Sequence, residues 1–436
     1  MIPAGLERTM GSTKHKAAQS ETPAPQDGAS TTWHTFKRRA AAIAIVVVAS
    51  LIPCVAILQN GASNPAHGKP DDVPSSDSKI WGRLEYMPIV IAPPLEFVQD
   101  LPIEYYSGDI AWHFLERSPT ELSNFFLTID LSSPLRKKLV SMARPNESTG
   151  GMSIYPSRQF ALDLCPKDRS ALYLALYENC RNVEHGNHFR FHGSSPDDWF
   201  ADSAISPTTR KLVEPLIYRR GAFMYFGDLR TIRYLPSRTE RLNLARTLLR
   251  SSTFIAHLKV SADSNLEALV KYWGRGGRAH EVRPILEAMM QKGGEQAINI
   301  THLLPALARR KLYTYPRPSG SDTAVDHRDC EWTAINFFNE APDESSNSRN
   351  AGKTAVALET KYYRIGGNLR LGDIAVLVNS RKKVVHCAVY IADDVFFHKC
   401  GSRSFTPWAL TRRKHLEAYY PSRQEYKIYY YRRYGL

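Results

Sequence analysis

Asp329–Glu340 reads DCEWTAINFFNE, and the rest of the chain has to be read against its cysteine. Trp332, Ile335 and Phe338 recur at helical spacing with Phe337 beside them, and Asp329 or Asp326 stands where a side-chain oxygen caps free helix amides. Cys330 is then a first-turn residue, where the positive end of the helix dipole favours thiolate over thiol. Lone cysteines are commonly small buried hydrophobes, so the partners must decide.

Those partners lie in Val384–Lys399, VVHCAVYIADDVFFHK, two strand-like runs around Asp393-Asp394. Gly372-Asp373 and a further strand-like run, IAVLV, precede them. A three-residue loop at Ala392–Asp394 pairs Ala388 with His398 and puts His386 and His398 on one face of the hairpin. A two- or four-residue loop puts them on opposite faces. A base held by a polar orienter and facing a helix-terminal cysteine is the Cys-His arrangement of papain-like catalysis.

With Asp329-Cys330 opening a helix, Gly372-Asp373 before a strand, His386 leading the next and His398 further on, the C-terminal quarter resembles the NlpC-type cell-wall peptidases, a branch of the papain-like superfamily. The resemblance covers residues 322–436. It implies Cys330 as nucleophile, His386 as base and His398 as orienter; Asp329 and Trp332 are separate candidates for binding substrate, the Trp332 ring offering broad contact surface for peptide or sugar. A stem-peptide bond of peptidoglycan is the substrate it implies, with no cofactor and no metal. Where that family carries a small Ser-Gly after the cysteine, this chain has Glu331-Trp332. The closing segment fits the same plan: Pro407–Tyr419 reads as a helix and EYKIYYYRR as a final strand. Pairing with an imidazolium leads to the expectation that Cys330 is largely thiolate near pH 6.

The formal charge of +14 over 436 residues leans towards anionic partners. Lys and Arg are scattered, with local clusters such as Arg412-Arg413-Lys414 and Arg432-Arg433, and no recognisable nucleic-acid module accompanies them, so nucleic acid is not expected as a partner. Residues 1–39, poor in apolar side chains up to Thr35, read as a disordered cytoplasmic tail. Lys37-Arg38-Arg39 then precede nineteen uncharged residues, Ala40–Leu58, about the ~20 that cross a bilayer as a helix. The basic flank stays in the cytoplasm, which makes the chain a single-pass inner-membrane protein with its bulk on the periplasmic side. The long tail before the apolar run favours an uncleaved anchor over a signal peptide. Residues 59–80, rich in Gly, Pro, Ser and Asp, read as a linker.

Residues 81–315 match no known pattern and read as mainly helical. Ser118–Glu121, Ser237–Glu240 and Ser264–Glu267 are capping-box patterns, and Pro134, Pro166 and Pro207 suit first helical positions. HFRFH and AFMYFGDLRTIRYL alternate with period two, the second turning at Gly227-Asp228 like a hairpin. The expected fold class is therefore α+β: an N-terminal transmembrane helix, a mostly helical middle domain and a papain-like C-terminal domain with its cysteine helix on an antiparallel sheet. Cys165 and Cys180 bracket a helix about 22 Å long, and Cys387 and Cys400 point to opposite faces, so no disulfide framework emerges. Glu184-His185, His188 and His192 cluster in sequence, but Arg190 between the last two disfavours a cation. Gly274–Gly277 reads as a loop between helices.

These features support a membrane-anchored thiol hydrolase of the bacterial envelope. A catalytically inactive interaction module and a thiol acyltransferase are the alternatives, and the oligomeric state is open.

Overall fold

Two runs in the C-terminal region are apolar enough to be buried on both faces: every residue of Ile374–Val378 and of Val395–Lys399 is withdrawn from solvent. The computed structural model in which they are seen describes residues 79–99, 111–115, 117–147, 150–177, 182, 185, 189–316, 328–345, 351–380, 382–401, 406–420 and 426–436. Six strands form the C-terminal sheet: β1 (Tyr362–Ile365), β2 (Ile374–Val378), β3 (Val384–Ala392), β4 (Val395–Lys399), β5 (Trp408–Arg412) and β6 (Lys427–Arg433). They pair antiparallel in the order β1-β6-β2-β3-β4-β5. The cysteine helix, Cys330–Ile335, packs against the face carrying Val376, Cys387, Val389 and Phe397, where the Phe337 and Phe397 rings lie 6.0 Å apart. Ala375, Leu377, Ala388, Tyr390 and Phe396 line the other face, with Leu416 of the short tail helix Arg413–Ala418 packed among them.

The β3–β4 turn sets the register of the histidines. Val389 pairs with Phe397 and Tyr390 with Phe396, after which the register shifts and Ala392 pairs with Val395. The turn itself is the two residues Asp393-Asp394, with Asp393 at φ +58. Two turn residues alone would separate the histidines, but the irregularity around Ile391 restores the parity and leaves His386 and His398 on one face. Tyr86 donates to the Asp393 carboxylate at 3.0 Å and Lys79 pairs with it at 2.8 Å, tying the turn to the start of the described chain.

Gly372-Asp373 works as a clamp. Gly372 sits at φ +90, and a Cβ there would lie 2.0 Å from the Phe338 ring. Asp373 is 1% exposed and takes two bonds from Arg432, at 2.9 and 2.7 Å, plus the Arg370 amide at 2.7 Å. The turn before β2 is thereby locked to β6.

The middle region is richer in sheets than expected. Beside helices that hold more residues than its strands, it carries three further three-stranded antiparallel sheets: Arg83–Ile91 with Ser251–Val260 and Gln296–Asn299; Trp112–Leu115 with Gly151–Ile154 and Arg144–Asn146; Phe189–His192 with Phe223–Phe226 and Tyr218–Arg220. The cap signals identify helix starts but say nothing of short strands whose partners are remote. The expected transmembrane helix at Ala40–Leu58, with the tail and the linker, lies outside the described residues; among those described, no helix is long and apolar enough to cross a membrane. The described fold is thus α+β with several antiparallel sheets.

One apolar cluster joins Ala256, Leu258, Trp273 and Leu307 of the middle region to Cys330, Val389 and Leu410. Tyr272 donates to the Ile391 carbonyl at 2.7 Å and Thr253 to that of Leu410 at 2.8 Å. The two regions therefore share a core.

Local readings fare unevenly. The Ser118–Glu121 capping box closes in both directions, at 3.3 and 2.7 Å. Ser237 caps the Glu240 amide at 3.1 Å, whereas the Glu240 carboxylate serves Ser206. In the third pattern Asn265, one residue on, is the cap, accepting from Ala268 at 3.0 Å. Gly227-Asp228 leads into a 3-10 helix, Leu229–Tyr234, and not a hairpin, because Arg169 and Tyr173 draw the Asp228 carboxylate inward at 2.7 and 2.6 Å. Pro407–Tyr419 opens as β5 and is helical only over Arg413–Ala418.

Asp373→Ala leaves the Arg432 guanidinium without its carboxylate, and the expected loss is about 3–5 kcal/mol of unfolding free energy. Urea denaturation checks it; a loss under about 1 kcal/mol would show that water replaces the clamp.

Candidate active site

Cys330 opens its helix because Asp329 caps it: the Asp329 carboxylate accepts from the Trp332 amide at 2.9 Å. Thr333 bonds back to the Asp329 carbonyl at 2.7 Å and receives the Trp408 indole N–H at 2.9 Å, pinning the helix to β5. The Cys387 backbone amide faces the sulfur of Cys330. Asp329 and Trp332, expected beside a groove, are buried, with the Trp332 ring 6.4 Å from that of Trp408. In this structure they serve capping and packing.

His386 on β3 and His398 on β4 meet at 2.9 Å, Nε2 to Nδ1, both fully enclosed. The other nitrogen of His386, Nδ1, lies 2.8 Å from the hydroxyl of Tyr420. That hydroxyl is 3.4 Å from the sulfur of Cys400, and Arg190 donates to the same sulfur at 2.6 Å. Arg190 also donates to the Tyr419 carbonyl and lies over the rings of Tyr419 and Tyr420, at 4.8 and 5.8 Å. A row of polar groups, Arg190, Cys400, Tyr420, His386 and His398, thus crosses from the middle region into the C-terminal sheet.

The structure brings the two histidines together, but no hydrogen bond joins Cys330 to either of them. Alternation along the strands explains this. His386 and His398 are in step with Ala388, Tyr390 and Phe396, whereas the cysteine helix packs on Cys387, Val389 and Phe397. The histidines face the segment carrying Tyr419 and Tyr420, and the Cys330 sulfur lies near enough to Cys400 and Tyr420 to interact with both electrostatically.

The charge states follow from burial. Desolvation, then the charges of Asp329 and Glu331, push the Cys330 thiol well above its ordinary value, with the Cys387 amide opposing them. Cys330 therefore rests as a thiol, contrary to the expectation of a thiolate near pH 6; a six-residue helix cannot offset that much desolvation. Burial, then the charges of His398 and Arg190, hold His386 well below its ordinary value. His398 is lowered to about 3 by burial, then Arg190. The resting pair is neutral thiol and neutral imidazole.

Sequence reasoning missed Arg190 and Tyr420. Period-two alternation on β4 does put Cys400 on the face of His398, but Arg190 is 210 residues away from Cys400 and carries no local signal. In the histidine cluster, the His192 ring lies tilted against His415 at 4.1 Å and that of His185 tilted against Tyr173 at 4.4 Å, while Glu184 and His188 lie outside the described residues. Among the described residues no group of three or more His, Cys, Asp or Glu could hold a metal ion. In the Gly274–Gly277 loop, Gly276 makes room for Phe338: a Cβ there would approach the ring to 2.6 Å. No protein-family model, curated protein or solved structure matches this chain.

Glu331 supplies a pH-dependent signature. Burial, then the charge of Asp329, raises its carboxyl from 4.5 to about 7. The folded chain then binds this proton more tightly than the unfolded chain, so the contribution is full below about 4.5 and is lost as pH rises through about 7. A difference of this size corresponds to on the order of 3 kcal/mol. Glu331→Gln is expected to gain that much over the natural chain between pH 5 and pH 8 (roughly the titration window) in urea unfolding; parallel stability curves would show that Glu331 is solvated.

Proposed function

We propose that this chain is a thiol hydrolase of the bacterial envelope that cleaves an amide bond, with Cys330 as nucleophile, His386 as base and His398 as orienter. A peptidoglycan stem peptide is the proposed substrate, on the strength of the resemblance of residues 322–436 to NlpC-type peptidases. The observation that carries the reading is the 2.9 Å contact between His386 Nε2 and His398 Nδ1 on neighbouring strands of the sheet that bears the cysteine helix. That contact orients the imidazole and leaves Nδ1 as its proton-accepting atom.

Since thiol and imidazole both rest neutral, the proton leaves sulfur as the bond to carbon forms, not beforehand. For that to happen the Cys330 thiol must move onto the histidine face of the sheet and displace the Tyr420 hydroxyl from Nδ1 as substrate enters. The Cys330 sulfur then adds to the carbonyl carbon, His386 takes the thiol proton, and amides of the first helical turn hold the oxyanion. The C–N bond breaks with the imidazolium proton passing to the departing amine. Water, losing a proton to His386, cleaves the thioester to release the acid and restore the thiol.

One observation favours a second reading, a non-catalytic interaction module: Tyr420 occupies the base nitrogen, and Cys330 has no hydrogen bond to it. Incubating the full chain with purified muropeptides and weighing the products separates the two. Cleavage that falls by at least about 10³-fold in Cys330→Ser and about 10²-fold in His398→Ala supports the hydrolase. Equal behaviour of the natural chain and Cys330→Ser leaves the interaction module. An added amine that appears in the product identifies acyl transfer.

Alkylation gives an independent check of the resting charge state. Iodoacetamide should label Cys330 slowly at pH 6, with a rate that climbs about ten-fold per pH unit above it, and His386→Ala should leave that profile unchanged. Rapid labelling at pH 6 that is lost in His386→Ala would mean a preformed ion pair.

A further inference from the structure

Two loops meet over the Phe338 ring. A Cβ at Gly276, φ +76, would come within 2.6 Å of that ring, and a Cβ at Gly372, φ +90, within 2.0 Å. The Gly274–Gly277 loop of the middle region and the Arg370–Asp373 turn before β2 are therefore neighbours, and Arg275 of the one feels the charge of Arg370 of the other. On its outer side the loop is open, since a Cβ at Gly277 would meet nothing within 4 Å.

The charges at this seam do not cancel. Among the described residues, the carboxylate that acts on Arg275 is that of Asp373. It is 1% exposed and its oxygens are already taken, by Arg432 at 2.9 and 2.7 Å and by the Arg370 amide at 2.7 Å. Three guanidinium groups, of Arg275, Arg370 and Arg432, thus stand against one carboxylate, and three positive charges against one negative leave an excess of two.

Arg275 and Arg370 are the groups left over. Among the described residues neither guanidinium makes a hydrogen bond or an ion pair. Arg370 is exposed and Arg275 half-buried. The Nε and Nη2 of Arg275 are closed to solvent and donate to nothing, which leaves Nη1 as its group at the surface. Burial holds this guanidinium below its ordinary value; Asp373 opposes that, and Arg432 and Arg370 add to it. The fold thus keeps a partly desolvated cation among like charges, an arrangement that an anion relieves and a neutral water does not.

We propose that Arg275 and Arg370 bind a doubly charged oxyanion, a phosphate group, held between the Gly274–Gly277 loop and the Arg370–Asp373 turn. Two guanidinium groups match its charge, and their planar N–H forks suit its oxygens. The open outer side of the loop leaves room for whatever the phosphate is esterified to. These arginines take no part in the chemistry proposed for Cys330, so the site stands independently of the hydrolase reading.

Thermal unfolding of the full chain tests this, because a ligand held by the folded chain alone raises the unfolding midpoint. At about pH 7.5 a phosphate is largely dianionic. Inorganic phosphate and glycerol phosphate are titrated separately, with acetate and chloride at matched ionic strength as controls. The expected result is a saturable rise with phosphate that neither control produces and that needs about five-fold or more phosphate in Arg275→Gln and in Arg370→Gln. A lower half-saturation for glycerol phosphate identifies a phosphate ester as the ligand, and an equal or higher one the free ion. No rise, a rise that never saturates, as an excluded salt gives, or a rise equal in the natural chain and Arg370→Gln overturns the proposal. An acetate response as strong as that of phosphate overturns the choice of a dianion. Arg370 is exposed, so Arg370→Gln decides the matter if Arg275→Gln does not fold.

Discussion

The structure depends on the burial of the C-terminal sheet on both faces. Because helices and the middle region cover β2, β3 and β4 from either side, polar groups on these strands must find partners within the protein. His386 and His398 do so with each other, Asp373 with Arg432, and the Asp393 turn with Lys79, Tyr86 and Arg412. The same enclosure strips His386 and Cys330 of water and keeps both neutral.

This has a chemical consequence for any thiol mechanism here. A preformed thiolate–imidazolium pair needs an environment that stabilises both charges. The Cys330 surroundings contain Asp329 and Glu331, which oppose the thiolate, and those of His386 contain Arg190, which opposes the imidazolium. In the proposed mechanism these charges favour proton transfer concerted with bond formation.

The middle region does more than carry the C-terminal sheet. Through Arg190 it reaches Cys400 and the Tyr419-Tyr420 segment, and Tyr225 donates to the Ala418 carbonyl at 3.1 Å. The position of Tyr420 against His386 therefore rests on contacts from a region with an unrelated sequence pattern.

Local chemistry was legible in the residues themselves. Asp329 as cap, the strands IAVLV and VVHCAVYIA and a turn at Asp393-Asp394 follow from periodicity and turn preference, which act over a few residues, whereas the shared face of His386 and His398 rests on the register shift near Ile391 and not on the three-residue loop expected. The short strands at Trp112, Arg144 and Tyr218 were not legible, because three or four residues carry little periodicity and their pairing is set by remote partners. Nor could the chain alone say which face of the sheet the cysteine helix covers, since both faces of β3 and β4 are mostly apolar, with the histidines and Lys399 as exceptions. Packing made that choice, and with it decided that Tyr420 and Arg190, distant in sequence, complete the hydrogen-bonded row on which the imidazole of His386 depends.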